Sequence, residues 1–303
     1  MKRFCTLTCL AALLCLNVHA QTKTTVAFAV RDTCTLYMDI YTPDKPDTSK
    51  PAVIFAFGGG FVSGDRVKPV RKWSQTLNND GITLISIDYR LGLKGVKPGN
   101  IVKFIKQLDL AIDMAVEDLF SATAFLIEHG AEYGIDPDRL IVSGSSAGAI
   151  TSLQAEYEIC NGGPLAAALP EGFNYAGVMA FSGAIFDNHN PLKFKTQPCP
   201  ILMLHGTCDK IVPYKKIAIF NLCFGGSDEI ARVLKKNGWP YCFLRYEDRG
   251  HDVSTYMEYA WPRELEFITD CVMNKSGNSS DATLYEPASP ELKWGKMGLN
   301  AIY

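Results

Sequence analysis

The chain has 303 residues, of which 47% are apolar and 20% are charged, and its formal net charge is −2. These values are typical of one large globular domain that can bury a sizeable core. Because the charge is near zero and no basic cluster stands out, we expect neither nucleic acids nor anionic membranes as partners.

The first twenty residues have the features of a secretory signal peptide. Lys2 and Arg3 precede the apolar run 7–16, and small side chains stand at Val18 and Ala20. We therefore expect cleavage after Ala20 and a secreted or periplasmic mature protein. Removal of this segment takes away two positive charges and leaves a net charge of −4. The later sequence contains no uninterrupted apolar run of about 18 residues, so we expect no membrane insertion.

Seven of the ten cysteines follow the predicted signal peptide, and none of them forms a Cys-x-x-Cys pair. We therefore predict no metal site, and we interpret these residues as buried thiols with one or two disulfides. An odd number of cysteines in an exported protein leaves at least one free thiol or an intermolecular bond.

Strand-like and helix-like segments alternate along the mature chain. Residues 24–30 and 35–41 predict an opening hairpin, and continuous apolar runs predict buried strands at 52–57, 82–87, 140–142, 178–181, 201–204 and 242–246. Apolar residues at helical spacing and intervening segments predict helices at 67–78, 101–133, 147–157, 228–237 and 255–271. This alternation predicts an α/β fold, with a mostly parallel central sheet and helices on both faces.

We assign residues 21–272 to a single domain and residues 273–303 to a C-terminal tail. The tail is rich in Ser, Asn, Pro and Gly, and we predict that it is extended, with Tyr285, Trp294 and Tyr303 as the residues through which it can dock. The stretches 158–177 and 183–200 are too short for a large lid domain.

The sequence Gly-Ser-Ser-Ala-Gly at 144–148 lies between a predicted strand and a predicted helix. In an α/β sheet, chemistry takes place at the carboxyl ends of the strands. A serine on such a sharp turn needs small neighbours at Gly144 and Gly148, and the helix directs the Ala147 N–H toward a developing negative charge. We therefore predict that Ser146 is a nucleophile; the alternative is a serine in a small-residue turn.

A nucleophilic serine needs a general base, and the chain has five histidines. His251 follows a predicted strand, on a loop at the same edge as Ser146, and is the preferred base. His19 is removed with the signal peptide, and His129 lies near a helix end, where it interacts with the helix dipole. His189 has no recognisable context. His205 ends a strand, and a local packing or turn role is the favoured interpretation.

The base needs an acid that orients it. Asp209 follows the predicted strand 201–204, and its position gives the chain order Ser, Asp, His that is expected for this kind of fold. Asp187 follows an earlier strand and is the credible substitute, while Asp248 and Asp252 are further candidates. The alternative role for Asp209 is a cap or turn residue.

Acyl transfer also needs donors for the oxyanion. Three glycines follow the buried strand 52–57, and the N–H groups of Gly59 and Gly60 can face a substrate because no side chain blocks them. We predict that these two groups act with the N–H of Ala147. The alternative is a tight glycine turn without a binding role.

Several stretches together resemble α/β-hydrolase esterases of the carboxylesterase and acetyl-esterase group. They are, in chain order, "FGGGFVSGDR", "ISIDYRLG", "AVEDLFSATAFLIEHGAEYGIDPDRLIVSGSSAGA", "LMLHGTCDKIVPY" and "YEDRGH". The resemblance covers about residues 50–270 and implies a serine hydrolase without a cofactor, with Ser146, Asp209 and His251 as its triad. It also implies an oxyanion hole near Gly59. The family commonly has His-Gly-Gly-Gly, and Phe57 replaces that histidine, which raises the question of how this loop is supported.

The absence of a large lid predicts an open pocket, which favours short acyl groups on a larger alcohol. Together with predicted export and the habit of the family, this suggests removal of acetyl or feruloyl groups from carbohydrate. We predict Phe61, Phe220 and Phe224 as substrate-binding residues, although the segment around the last two can equally be a helix with an ordinary loop.

Two other functions remain open from the sequence. A serine exopeptidase of the same fold would use the same triad, and would need acidic residues to bind a free amine. A catalytically inactive binding protein on a hydrolase scaffold is the third possibility.

Overall fold

The computed structural model describes residues 21–97, 100–188, 190–219 and 221–285. The predicted signal peptide, His189, Phe220, Trp294 and Tyr303 lie outside the described residues.

The described residues form a large, mostly parallel sheet and a small antiparallel one. The strands are β1 (Thr22–Arg31), β2 (Cys34–Thr42), β3 (Ala52–Ala56), β4 (Thr83–Ile87), β5 (Leu140–Ser145), β6 (Gly177–Phe181), β7 (Ala184–Asp187), β8 (Ile201–Gly206), β9 (Lys216–Ile219), β10 (Leu222–Gly226), β11 (Tyr241–Tyr246) and β12 (Ser280–Leu284). The large sheet has the order β1-β2-β4-β3-β5-β6-β8-β11-β12. The pairs β1-β2 and β2-β4 are antiparallel, and the pairs from β4 to β12 are parallel.

The predicted hairpin and the predicted buried strands are all present, with shifts of a few residues at their ends. Every residue of β3, β4, β5, β6 and β8 is buried, which requires cover on both faces of the sheet. The helices that provide this cover are α1 (Trp73–Asn79), α2 (Ile101–His129), α3 (Ala147–Asn161), α4 (Ser227–Asn237) and α5 (Trp261–Phe267). The α/β architecture predicted from the sequence is thereby confirmed.

Helix α2 illustrates how the sequence sets these elements. The side chain of Asn100 accepts a hydrogen bond of 2.9 Å from the Lys103 N–H, which caps the first turn. Its apolar residues at helical spacing are buried; they are Leu108, Ile112, Ala115, Leu119, Ala122 and Leu126.

Two helices begin later in the chain than predicted. The helix predicted at 67–78 begins only at Trp73, because the Asp65 carboxylate binds the N–H groups of Val67 and Lys68 in a turn and Pro69 lacks an N–H. The helix predicted at 255–271 begins at Trp261, with Pro262 in its first turn, and continues as a π-helical turn over Ile268–Met273.

The segment predicted to be a tail contributes a strand to the large sheet. Residues 280–284 form β12, which pairs in parallel with β11, so the sheet extends past the boundary that we placed at residue 272. The ring of Tyr285 is 73% exposed and therefore does not anchor this segment.

The small sheet has the order β7-β10-β9 and is antiparallel. It arises from the segment that the sequence left open between a site insertion and a helix with an ordinary loop. Strands β9 and β10 pair with each other, β10 also pairs with β7, and helix α4 begins directly after β10.

Within the described residues, no helix combines the length and the hydropathy that crossing a bilayer requires.

All seven cysteines of these residues are thiols, five of them buried, with Cys34 and Cys208 exposed.

Candidate active site

Ser146 occupies the sharp turn between β5 and α3. Its backbone has φ +53°, a value that costs free energy for any residue with a side chain and that recurs at functional sites. The Ser146 N–H donates a 2.9 Å hydrogen bond to the Phe181 carbonyl on the neighbouring strand, and its own carbonyl accepts from the Ile150 N–H in α3. The turn is therefore held from both sides, and Ser146 stands at the carboxyl edge of the sheet.

The two glycines of the Gly-x-Ser-x-Gly pattern permit this turn. A Cβ atom on Gly144 would lie 2.2 Å from the carbonyl carbon of Gly148, and a Cβ on Gly148 would lie 2.0 Å from the Ala56 carbonyl oxygen. Neither distance is compatible with a side chain, so helix α3 approaches β3 and β5 as closely as it does only because both residues are glycine.

The structure brings the three predicted triad residues together. The Ser146 Oγ atom lies 2.8 Å from His251 Nε2, and His251 Nδ1 lies 2.7 Å from Asp209 Oδ2. Because a carboxylate can only accept, Nδ1 carries the proton and Nε2 is left to accept from the serine hydroxyl. This chain of bonds prepares Ser146 for attack on an electrophile.

Asp209 is fixed by more than His251. Its Oδ1 atom accepts from the N–H groups of Ile211 (2.8 Å) and Val212 (3.1 Å), and its Oδ2 atom also lies 3.2 Å from His205 Nε2. Burial works against the charge of this carboxylate, but the hydrogen bonds from His205 and His251 outweigh it and hold the pKa of Asp209 well below the usual range. Asp209 is therefore an anion at neutral pH.

The competing acids are engaged elsewhere. Asp187 accepts a hydrogen bond from the Tyr157 hydroxyl, and Asp252 binds the Gly250 N–H and the Arg249 guanidinium. Asp248 is exposed.

Among the histidines, His129 lies at the end of α2 and is 3.0 Å from Glu132, away from this site.

The glycine loop after β3 adjoins Ser146. Gly59 and Gly60 have φ +133° and +63°, and both line a cleft together with Ser146 and His251. A Cβ on Gly59 would lie 1.9 Å from the Ser63 carbonyl oxygen, so this conformation requires glycine. Ala147 is the first residue of α3, next to Ser146. Their assignment to an oxyanion hole remains a prediction that is consistent with these positions.

Tyr89 supports the loop where the resembling family has a histidine. The Tyr89 hydroxyl donates a 2.7 Å hydrogen bond to the Phe57 carbonyl, and the two rings stack with centroids 4.4 Å apart. Phe57 is therefore a buried support of the loop, and the question that its presence raised has a structural answer.

An apolar cleft of about 450 Å³ lies on one side of Ser146. Phe61 and Phe224, whose substrate-binding role stays a prediction, line it, whereas Phe220 lies outside the described residues. The sequence did not predict the other apolar residues of its wall, which come from α2, α3, the small sheet and the loop after β8; they include Phe104, Leu108, Ile150, Phe186, Tyr214 and Leu222. Periodicity marked some of them as core residues, and no local signal distinguishes a cleft wall from a core.

Ser146 also lines a second cleft, which has a more polar wall. Ser63, Ser254, Thr255 and Lys68 line it, together with the glycine loop. Because Ser146 lines both clefts, a molecule that extends into both would meet mainly apolar side chains in one and more polar residues in the other.

In the part of the chain that the structure describes, no group of three or more His, Cys, Asp or Glu side chains is arranged to hold a metal ion.

The parallel sheet, the nucleophile turn after β5 and the order Ser146, Asp209, His251 define an α/β-hydrolase. Known proteins agree with this class. The family model BD-FAE matches residues 38–159, and the family model Phospholipase/Carboxylesterase matches residues 99–222. The resemblance to α/β-hydrolase esterases is thereby confirmed.

Relatives and solved structures extend this agreement. Esterase LipI of Mycobacterium tuberculosis is 32% identical over 40% of this chain, and a probable isoprenylcysteine α-carbonyl methylesterase of Arabidopsis thaliana is 33% identical over 37% of it. The chain spans only 34% and 20% of the length of these two relatives. A thermophilic esterase from Thermogutta terrifontis superposes with a TM-score of 0.60 at 19% identity, over 82% of this chain and 92% of that one, which establishes the shared fold.

Proposed function

We propose that this protein is a serine hydrolase that cleaves carboxylic esters through an acyl-enzyme intermediate. The observation that carries the proposal is the continuous hydrogen-bonded chain from Ser146 through His251 to Asp209, with steps of 2.8 Å and 2.7 Å. The esterases among the sequence relatives support the same reaction class.

Each residue then has a defined role. His251 Nε2 takes the proton of Ser146 as Oγ attacks the ester carbonyl, and the N–H groups of Gly59, Gly60 and Ala147 bind the oxyanion. Asp209 stabilises the imidazolium that forms. His251 then returns the proton to the departing alcohol, and a water molecule, activated by the same imidazole, releases the acid from Ser146.

The two clefts suggest how the substrate lies. The apolar cleft falls within the size range of small-molecule sites and is larger than an acetyl group needs, so of the two acyl groups considered it favours the aromatic feruloyl group. The second cleft, which Ser63, Ser254, Thr255 and Lys68 line, suits a carbohydrate alcohol because such side chains can exchange hydrogen bonds with sugar hydroxyls. We therefore propose esters of carbohydrates with apolar, feruloyl-type acids as the substrate class. The Thermogutta terrifontis esterase has structures with propionate and with butyrate bound, which keeps short acids among the substrates to be tried.

The clefts offer little to a peptide with a free amine. Asp209 is the only carboxylate among the described residues that line them, and it is already bound by two histidines. Lys210, Lys215 and Lys216 stand at the apolar cleft instead. These charges disfavour the exopeptidase, because an aminopeptidase substrate needs an anionic partner. The intact triad disfavours an inactive binding protein.

We further propose that the protein is exported, on the strength of the signal-like residues 1–20. Expression of the full chain with its leader in a bacterial host tests this. Mass spectrometry of the extracellular or periplasmic fraction should find a mature N-terminus at Gln21, and retention of the intact chain in the cytoplasm would contradict export.

The first experiment compares hydrolysis of p-nitrophenyl acetate, butyrate and octanoate and of methyl ferulate by the wild type and Ser146→Ala. Ser152→Ala is a matched control, because Ser152 lies in the same helix and its hydroxyl binds only the Gly148 carbonyl oxygen at 2.9 Å. We expect Ser146→Ala to lose on the order of 10³-fold or more in kcat, and Ser152→Ala to retain activity. Background rates in the wild type for all four esters would refute the proposed reaction.

A further inference from the structure

Asp209 has a second imidazole partner, whose sequence context suggested only a local role. His205 is the fifth residue of β8 and is fully buried. Its Nε2 atom lies 3.2 Å from Asp209 Oδ2, the same oxygen that binds His251. Its Nδ1 atom lies 2.8 Å from the Ser227 hydroxyl at the start of α4. A chain of polar contacts thus continues beyond the triad, into the core of the protein.

The contacts of His205 determine where its proton lies. Nε2 faces two acceptors, Asp209 Oδ2 at 3.2 Å and the Val212 carbonyl oxygen at 3.3 Å, so Nε2 must carry a hydrogen. In the neutral ring Nδ1 is then an acceptor, and the Ser227 hydroxyl can donate to it. The two acceptors at Nε2 therefore favour the tautomer that donates to the carboxylate, and the Ser227 hydroxyl, which also lies 3.5 Å from the Gly183 carbonyl oxygen, can support it from the Nδ1 side.

With His205 included, both oxygens of Asp209 are fully occupied. Oδ1 accepts from two backbone N–H groups, at Ile211 and Val212, and Oδ2 accepts from two imidazoles. A carboxylate with four donors in fixed positions has little freedom to rotate about its Cβ–Cγ bond. Removing His205 would leave Oδ2 with one donor, the His251 ring whose orientation the carboxylate has to fix.

We propose that His205 is a positioning residue for ester hydrolysis, which holds the Asp209 carboxylate in the orientation that aligns His251 with Ser146. This inference rests on the proposed function. His205 lines neither cleft, so it acts through Asp209 and not through the substrate.

A second consequence concerns the basicity of His251. The donor on Asp209 Oδ2 draws electron density from the carboxylate, so without His205 the carboxylate would accept a stronger hydrogen bond from the His251 imidazolium and stabilise that protonated form. Three groups of charged residues lie near His251 in the described part of the chain. Arg249 and Asp252 bind each other at 3.2 Å, Lys68 lines the same cleft as His251 and pairs with Asp65 at 3.5 Å, and Lys210 follows Asp209 on its loop.

Two amide substitutions separate the contacts of His205. His205→Gln places its amide N–H near the position of Nε2 and keeps a donor for Asp209, whereas His205→Asn places its amide near Nδ1 and keeps only the contact with Ser227. We expect His205→Asn to lower kcat for p-nitrophenyl acetate about 10- to 100-fold with little change in KM, and to move the acidic limb of the kcat/KM profile to higher pH. His205→Gln should stay close to the wild type in both measurements.

A purely structural role gives a different pattern. Equal losses in the two variants, in proportion to their loss of thermal stability and without movement of the acidic limb, would overturn the proposal. Ser227→Ala keeps both imidazoles in place and serves if His205→Asn does not fold. We expect Ser227→Ala to lower kcat less than His205→Asn does, and to move the acidic limb of the kcat/KM profile in the same direction. An unchanged pH profile in Ser227→Ala would count against the assigned tautomer of His205 and against the proposal.

A measurement without turnover separates this inference from the proposed function. The proton between His251 and Asp209 should give a low-field NMR signal whose pH titration reports the pKa of His251 in the unliganded protein. If the wild type hydrolyses no ester, the proposed function fails, and the titration in the wild type and His205→Asn still decides whether His205 acts on the Asp209–His251 pair.

Discussion

The hydroxyl of Tyr89 donates a 2.7 Å hydrogen bond to the carbonyl oxygen of Phe57, at the point where β3 ends and the glycine loop begins. The two rings stack, and both residues are buried. This contact fixes the start of the loop that carries Gly59 and Gly60. A tyrosine on the chain after β4 therefore supports the loop that, in the resembling family, commonly begins with a histidine.

Removal of the Tyr89 hydroxyl should impair catalysis more than stability. We expect Tyr89→Phe to lower kcat several-fold, because the N–H groups of the loop lose their orientation, and to cost about 1 kcal/mol of unfolding free energy. Steady-state kinetics and urea denaturation measure both effects. Tyr37→Phe is the control, because that ring is 40% exposed; a similar fall in kcat there would contradict a specific role for Tyr89.

A methyl group on Gly148 should lower the free energy of unfolding far more than one on Gly162, although Gly148 lies in α3 and Gly162 caps the same helix. Alanine normally favours a helix interior, but a Cβ at 148 meets the Ala56 carbonyl oxygen at 2.0 Å. We expect Gly148→Ala to lose about 3 kcal/mol or to fail to fold. At Gly162 the space is open and φ is +61°, so Gly162→Ala should cost only about 1 kcal/mol. Urea denaturation followed by tryptophan fluorescence gives both values, and equal costs would contradict the close approach of α3 to β3.

Asp209 should stabilise the protein in a pH-dependent manner. Its pKa in the folded protein is depressed, so its contribution is complete above the ordinary aspartate pKa of 3.8 and decreases as pH falls below that value. We expect Asp209→Asn to be about 1–3 kcal/mol less stable than the wild type at pH 7, and this gap to narrow near pH 3. Urea denaturation at both values tests the sign. Asp138→Asn alters an exposed carboxylate and should show no such trend.

Phe224 should matter for large acyl groups and not for small ones. Its half-buried ring lines the apolar cleft and packs edge-on against Phe186, with ring centroids 6.0 Å apart. We expect Phe224→Ala to lower kcat/KM for methyl ferulate about tenfold relative to p-nitrophenyl acetate, because the aromatic acyl group loses apolar contact. Phe125→Ala removes a half-buried ring outside the clefts and should leave the ratio unchanged. A uniform fall for both esters in Phe224→Ala would contradict binding of the acyl group in this cleft.

Asp113 should destabilise the protein at neutral pH. Burial, together with the nearby charge of Asp109 one turn earlier in α2, raises the pKa of Asp113 to about 6. The free-energy cost of its charge is therefore absent below the unfolded pKa of 3.8 and complete above about pH 6. We expect Asp113→Asn to raise Tm at pH 7 and not at pH 4, with a gain below about 1 kcal/mol because water screens this side chain. Glu117→Gln is the control. Glu117 lies on the same helix as Asp113 and pairs with Arg90, so its substitution should not stabilise the protein.

Local sequence was sufficient for the parallel strands and for the turn that carries Ser146. Short continuous apolar runs between turn residues are typical of strands covered on both faces, and the structure has β3, β4, β5, β6 and β8 where the runs predict them. Ser146 was recognisable because a strained turn between a strand and a helix needs glycine on both sides, and those glycines are contiguous with it in the chain.

Segments whose partners are distant in sequence were decided by the tertiary structure. Strands β9 and β10 form a small sheet because β7 is available to pair with β10, and the polar segment 280–284 becomes a strand because it pairs with the edge of β11. Propensity alone does not reveal such pairings, since the hydrogen bonds that stabilise them come from another part of the chain.

Contacts between distant parts of the chain also determine which acid reaches His251 and which residues line the clefts. Asp187, Asp209 and Asp252 all lie near the edge of the sheet, and only their packing shows that Asp209 reaches His251 while the other two bind Tyr157 and Arg249. The sequence by itself determined which residues have the chemistry to act, because residue type and local turn geometry are encoded within a few positions. Only the tertiary structure decided which of these residues contact one another, because the contacts join residues up to 105 positions apart and form when β5, β8 and the loop after β11 pack together. The same packing places His205 and Ser227 behind Asp209, where they extend the chain of polar contacts.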